Sequence, residues 1–147
     1  MDVKSYLTGY ADGEGCFCVS FSKSVRHTFG WEIRPSFSVS QNRDRSEVLD
    51  IYKEEFACGT IRADRSDNTL KYEIRSVKDL VERVIPHFEE VPLLSGKIRD
   101  FERFAIICKL MYEKQHLERE GFNKIVNLAF HMNPSGKRKY SEEEIKI

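Results

Sequence analysis

No apolar run in this 147-residue chain approaches the length of a membrane span; the longest, "FAIICKLM", is too short to cross a bilayer. The opening "MDVKSYLTGY" has no basic segment followed by an apolar stretch. A secretory leader is therefore not expected, and an intracellular setting is: a bacterial or archaeal cytoplasm, or an organelle matrix or stroma. Cysteine is scarce. Cys16, Cys18, Cys58 and Cys108 lack the second pair that a zinc finger needs. Cys16 and Cys18 would share one strand face and not bridge each other, so four reduced thiols are expected. His27, His87, His116 and His131 show no metal-ligand spacing. Net charge is absent too, with 24 basic and 24 acidic residues. That excludes nucleic-acid binding by bulk charge but not by a face of one sign. Between Cys16 and Arg45 the bases Lys23, Arg26, Arg34, Arg43 and Arg45 outnumber Glu32 and Asp44, whereas acids gather in "YKEEF", "HFEEV" and "YSEEEIK".

What is present is a globular composition, 40% hydrophobic and 33% charged, in a length suited to one domain with a real core. Residues 3–11 read as a short helix. From Cys16 the period becomes two: Phe17, Val19 and Phe21 alternate with Cys18, Ser20 and Ser22, the pattern of a half-buried strand. After a turn near Thr28 to Gly30 the chain returns through Trp31 to Gln41, with Ile33, Phe37 and Val39 on one face. Pro35 marks an irregular or edge position in that strand. Ser46 starts a helix with the stripe Val48, Leu49, Tyr52 and Phe56, closed by Gly59. A second hairpin, "GTIRADRS" and "TLKYEIRS", turns at Asp67-Asn68. Ser76 caps a helix that Pro86 is expected to stop. Helices over about 95–114 and 118–132 follow. Residues 1–132 thus read as a single α+β domain, and 133–147, with Lys137, Arg138 and Lys139, as a flexible tail.

The polar face of all four strands is unusual. Cys18, Ser20, Ser22, Ser24 and Arg26 share a face with Glu32, Arg34, Ser36, Ser38 and Ser40; Arg62 and Asp64 share one with Lys71, Glu73 and Arg75. A solvated sheet face would look like this, and so would a sheet laid into the DNA major groove.

The stretch "LTGYADGEG", Leu7 to Gly15, resembles the LAGLIDADG motif, and "DGEGCF" its variant ending in DGEG. With "SVSQNRDR" and "PLLSGKIRDFERF" the likeness extends from residue 3 to about 115. It is a resemblance to the single-motif, intron-encoded, homodimeric LAGLIDADG homing endonucleases. The resemblance implies the α-β-β-α-β-β-α fold, a four-stranded antiparallel saddle with helices on one face, dimerising through the motif helix. Leu7, Thr8, Gly9, Asp12 and Gly13 would then lie in the dimer seam, the glycines allowing close backbone approach. Asp12 takes a structural role rather than a metal-binding one.

The same resemblance assigns Glu14, with the Gly13 carbonyl, as ligands of Mg²⁺ (or Mn²⁺ or Ca²⁺), hard oxygen donors for a hard cation. Two copies of Glu14 would serve in-line phosphodiester hydrolysis. Gln41 would order water, Arg45 supply nearby positive charge, and Lys97 polarise water or phosphate, with Arg99 its rival. The implied partner is a long, nearly palindromic double-stranded DNA site, cut to short 3′ overhangs in support of intron mobility; no membrane is involved. The main alternative is an RNA-binding maturase acting on intron RNA. A non-catalytic regulator is a third, disfavoured because no added helix-turn-helix domain fits.

Overall fold

The first helix begins where Asp2 offers its carboxylate to the N–H of Lys4 at 3.2 Å and the hydroxyl of Ser5 at 2.6 Å, satisfying donors that a helix start leaves free. In this computed structural model, which describes residues 1–64, 68–133 and 138–147, helix α1 spans Val3–Glu14. It runs through both motif glycines and passes into strand β1 (Gly15–Lys23) without a loop. A Cβ on Gly15 would lie 2.8 Å from the Ala11 oxygen, the acceptor of Gly15's own N–H. Only glycine fits so abrupt a junction.

β1 pairs antiparallel with β2 (Trp31–Asn42), from Gly15 opposite Val39 to Lys23 opposite Trp31. A 3₁₀ turn, Arg43–Arg45, leads into α2 (Glu47–Phe56), followed by β3 (Thr60–Ala63) and β4 (Thr69–Ile74). The sheet has four antiparallel strands, as expected from the sequence, and its order is β1-β2-β4-β3. Asp67 of the expected turn lies outside the described residues.

One sheet face carries Phe17, Val19, Ile33, Phe37, Val39, Tyr72 and Ile74 into the core. Helices cover this face: α3 (Val77–Asp79), α4 (Ile85–Glu90), α5 (Lys97–Tyr112) and α6 (Arg119–Phe130), together with α1 and α2. Phe17 is the hub, its ring 5.1 to 5.4 Å from those of Phe37, Phe88, Phe101 and Phe104. Tilted aromatic pairs of this kind add about 0.5–1.5 kcal/mol each beyond area burial.

Three expectations change. Pro86 does not end its helix. A π-helical segment, Leu80–Val84, joins α3 to α4, with the N–H of Ile85 reaching Leu80 O, and this widened turn carries the axis past the proline's missing donor. β2 is an interior strand, not an edge. Pro35 is tolerated because β2–β4 pairing begins only at Phe37, so no β4 residue stands beside it.

Over its described part, 138–147, the expected tail is packed. Arg138 donates to Val19 O and Ala129 O, both at 2.7 Å, with its guanidinium 4.7 Å from the centre of the Phe130 ring. Tyr140 meets Trp31 edge-on at 4.8 Å, and Ile145, in helix α7 (Glu142–Ile145), is buried. Asn133 donates to Phe17 O at 3.0 Å. Asn133 and one arm of Arg138 thus take Phe17 O and Val19 O on β1, an edge strand that among the described residues pairs with β2 alone. Lys137 lies outside the described residues, and Arg138 is turned toward protein carbonyls rather than solvent.

Replacing Arg138 with alanine should leave Val19 O and Ala129 O short of a donor and lower stability by about 2 kcal/mol, read as a shifted urea midpoint with unchanged slope.

Candidate functional site

Two faces of α1 have different fates. Leu7 and Ala11 are fully buried, and Tyr52 donates its hydroxyl to Leu7 O at 2.6 Å. Thr8 is buried as well; its hydroxyl donates to Val91 O at 2.9 Å and lies 3.0 Å from Nε2 of His87. Because the hydroxyl's proton goes to Val91, the imidazole supplies the proton between them. Burial, with help from the Lys4 charge, pushes the His87 pKa down. Leu7 and Thr8, expected in a seam from the motif, turn toward the chain's own core. The exposed stripe is Val3, Tyr6, Gly9 and Gly13, and a Cβ on either glycine would meet nothing within 4 Å. The helical spacing of Val3, Tyr6, Gly9 and Gly13 is the sequence signal for this stripe.

Asp12, half-buried, turns its carboxylate to the start of α5. Its carboxylate accepts from the N–H of Leu94 at 2.9 Å, the N–H of Ser95 at 3.0 Å, and the Ser95 hydroxyl. Desolvation raises its pKa, but the Ser95 hydroxyl, the two N–H groups and Lys97 outweigh it, and the net shift is downward. Ser95 Oγ in turn accepts from the N–H of Lys97 at 3.2 Å. Lys97, the first residue of α5, reaches back with its ammonium 3.0 Å from Ala11 O and 2.6 Å from Gly15 O. The end of α1 and the start of α5 thus cap each other, a cation on the helix C-terminus and a carboxylate at a helix start, both favoured by the helix dipole. Arg99, the rival for this position, folds back toward Gly96 and is exposed.

Glu14 ends α1. It is exposed and makes no hydrogen bond or salt bridge among the described residues. Gly13 beside it is exposed as well and would offer its carbonyl oxygen. These hard oxygen donors suit a divalent cation. Among the described residues, however, no group of three His, Cys, Asp or Glu converges in one chain. Gln41, next to last in β2, and Arg45, ending the 3₁₀ turn, lie at the same end of the sheet, since Gly15 pairs with Val39. The Gln41 amide donates to Ser40 O at 2.7 Å; Arg45 is exposed and makes no salt bridge among the described residues.

The polar strand face leads away from Glu14. Pairing sets Cys16 opposite Ser38, Cys18 opposite Ser36, Ser20 opposite Arg34 and Ser22 opposite Glu32. Across the next strand Ser38 faces Glu73 and Ser40 faces Lys71; Arg62 faces Lys71 across β3 and β4. Arg26 stands exposed at the first hairpin's turn, where the Ser24 hydroxyl is engaged, accepting from the N–H of Arg26 at 3.3 Å and lying 2.7 Å from the His27 ring. Asp64 and Arg75 lie just past β3 and β4. Ser38, 8% exposed, is walled in and offers little surface. Burial pushes the Cys16 thiol up, away from thiolate chemistry.

Asp12→Asn should cost about 1–2 kcal/mol at neutral pH by weakening the bonds to Leu94 and Ser95. Because the folded pKa of Asp12 is depressed, this contribution is fully present above the unfolded value near 4 and fades as pH falls through the folded one. Urea melts of both proteins should converge below about pH 4.

A model of the LAGLIDADG endonuclease family matches residues 7–108. A probable intron-encoded endonuclease 2 of Neurospora crassa is 31% identical over 130 residues, covering 88% of this chain and 29% of that protein. The chain spans 24% to 29% of the length of this and two other curated relatives. Among solved structures, the homing endonuclease I-TnaI superposes with a TM-score of 0.85 at 31% identity, over 97% of this chain and 92% of that one. The I-LtrWI LAGLIDADG homing endonuclease bound to target DNA gives 0.89 at 28% identity, over 99% of this chain and 50% of that one. The chain belongs to the LAGLIDADG endonuclease family.

Proposed function

We propose that the chain is one subunit of a homodimeric, site-specific DNA endonuclease of the homing type, dependent on a divalent cation and directed at a long pseudo-palindromic site. The observation that carries this reading is Glu14: an unpartnered carboxylate exposed at the end of an exposed helix stripe, at the root of a polar sheet face. A solvated carboxylate has no need of glycines on either side. One that must meet its counterpart from a second copy does, because Gly9 and Gly13 let two α1 helices approach without side chains between them. The extent of the matches supports the same stoichiometry. One copy of this chain covers most of I-TnaI and half of DNA-bound I-LtrWI.

In that dimer Glu14 and the Gly13 carbonyl from each chain would hold Mg²⁺, which, when bound, lends Lewis acidity to a phosphate oxygen and acidity to a water. The rest is work for the chain's own groups. Lys97 uses two of its N–H bonds on Ala11 O and Gly15 O, leaving one to donate outward toward a phosphate or water. Gln41 would release Ser40 O and orient water through its amide. Arg45 would add positive charge where a phosphate arrives, raising the local concentration of the anion. The sheet face positions the duplex: Arg26, Arg34 and Arg75 are donors for base edges or phosphates, and Ser20, Ser22 and Ser36 make shorter-reach or water-bridged contacts. Cleavage of both strands to short 3′ overhangs at an intron insertion site is the outcome this reading assigns.

With Mg²⁺ and a plasmid library of candidate insertion sites, the wild-type protein should linearise at least one member, and a chelator should abolish cutting. Glu14→Gln should bind that member with an affinity within about threefold of wild type while cutting at least about a hundredfold more slowly, since metal assistance contributes several kcal/mol. A wild type that cuts no member while binding intron RNA tightly would replace this reading with the maturase one.

A further inference from the structure

Three side chains on the polar sheet face form a graded cluster. Arg62 stands directly across from Lys71, and Glu73 is two residues along the same face of β4. The Glu73 carboxylate lies between the two cations, one oxygen 3.5 Å from an Arg62 Nη and the other 3.7 Å from Lys71 Nζ. Side-chain exposure rises from 12% at Glu73 to 28% at Lys71 and 55% at Arg62. The acid is the floor and the cations are the rim.

This arrangement removes Glu73 from the roles open to an acid on such a face. A projecting carboxylate would repel phosphates and accept from the amino group of cytosine. A recessed one with both oxygens turned to cations does neither. Glu32, on the first hairpin of this face, differs: it accepts from the Ser22 hydroxyl at 3.3 Å and makes no ion pair among the described residues. What the cluster presents outward is N–H donors without an acceptor. In the major groove the edge that offers two adjacent acceptors to such a rim is guanine, through N7 and O6. Arginine is otherwise costly to order, and a carboxylate fixing one side of its fork beforehand lowers the entropy lost on binding.

Register gives the location. Lys71 faces Ser40, one residue beyond Val39, and Val39 faces Gly15, the residue after Glu14. The cluster therefore sits at the Glu14 end of the sheet, away from the hairpin turn that carries Arg26.

We propose that Arg62 and Lys71 form a guanine-reading subsite for the inner part of each half-site, with Glu73 as its positioning residue and not itself a base reader. This rests on the DNA-binding reading above and adds a base and a place to it.

The test is selection from a randomised duplex library, without divalent metal, by the full-length wild-type protein, Arg62→Ala, Glu73→Gln and the double variant. Affinities are then measured on the selected duplex and on one with the guanine replaced by 7-deazaguanine. Wild type should enrich one inner guanine in each half-site and lose about tenfold or more in affinity on the 7-deaza duplex. Arg62→Ala should lose that enrichment and that difference. Glu73→Gln should shrink the difference about threefold at this position alone, and the double variant should be no worse than Arg62→Ala. Three results overturn the subsite: a cytosine preference that Glu73→Gln abolishes, enriched positions that all survive Arg62→Ala, or Glu73→Gln weakening every position equally. If wild type enriches no sequence at all, DNA reading itself fails and the subsite with it. A melting temperature for each variant within a few degrees of wild type separates these results from misfolding.

Discussion

The mutual capping of α1 and α5 is the constraint on which the site depends. A helix that ends and becomes a strand within one residue leaves carbonyls without partners and a dipole pointing at the next element. Here the Lys97 ammonium bonds Gly15 O and Ala11 O, the latter also accepting the Gly15 N–H. The lysine can be there only because α5 starts at that spot, and Asp12 of α1 holds the start of α5 through Leu94 and Ser95. Neither half stands without the other. The consequence for chemistry is that Glu14 projects from a fixed helix end, beside a cation whose position is set by the same bonds. An abrupt helix-to-strand junction and an active site are thus one structural solution, and Gly15 is the residue that sterics require at its hinge.

The same logic organises charge. A chain with no net charge would build the proposed DNA face by segregation. Glu54, Glu55, Glu89 and Glu90 lie exposed on the helices, while strand positions that face the other way carry Arg34, Arg62 and Lys71. Acids on the reading face are either tied, as Glu73 is, or placed beside a hydroxyl, as Glu32 is. Lys109 pairs with Glu89 and Lys4 with Glu90 on the helical side. Exposed pairs like these contribute little to stability.

Much of this was legible beforehand, for definite reasons. Strands with one buried face write a period of two, and β1, β2 and β4 could be placed with their faces assigned. A motif with an acid between glycines marked Glu14. What the sequence hid was the direction of side chains set by packing from afar. Leu7 and Thr8 stand in the motif like the glycines, yet Tyr52 and His87, distant in sequence, fix them inward. The choice between Lys97 and Arg99 depends on which side of a first helical turn meets α1, and no local pattern encodes that. Pro86 misled because a π-turn can carry a helix past a proline. The final segment misled because charge dominates its composition, although Ser141 and Glu144 spell a capping box and Tyr140 and Ile145 supply anchors.

On the proposed reading a single subunit is incomplete. Among the described residues Glu14 makes no hydrogen bond or ion pair, no group of three His, Cys, Asp or Glu converges, and α1 shows an exposed stripe that includes Gly9 and Gly13. Each feature alone has an ordinary explanation. The proposed homodimer would answer all three at once, because a two-fold axis at α1 would bring a second Glu14 beside the first while closing the stripe against its own copy. The requirement also works in reverse. Since the acids would repel each other without a cation between them, metal and dimer would stabilise one another, and the proposed nuclease would assemble its chemistry only when two chains, two half-sites and the ion are present together.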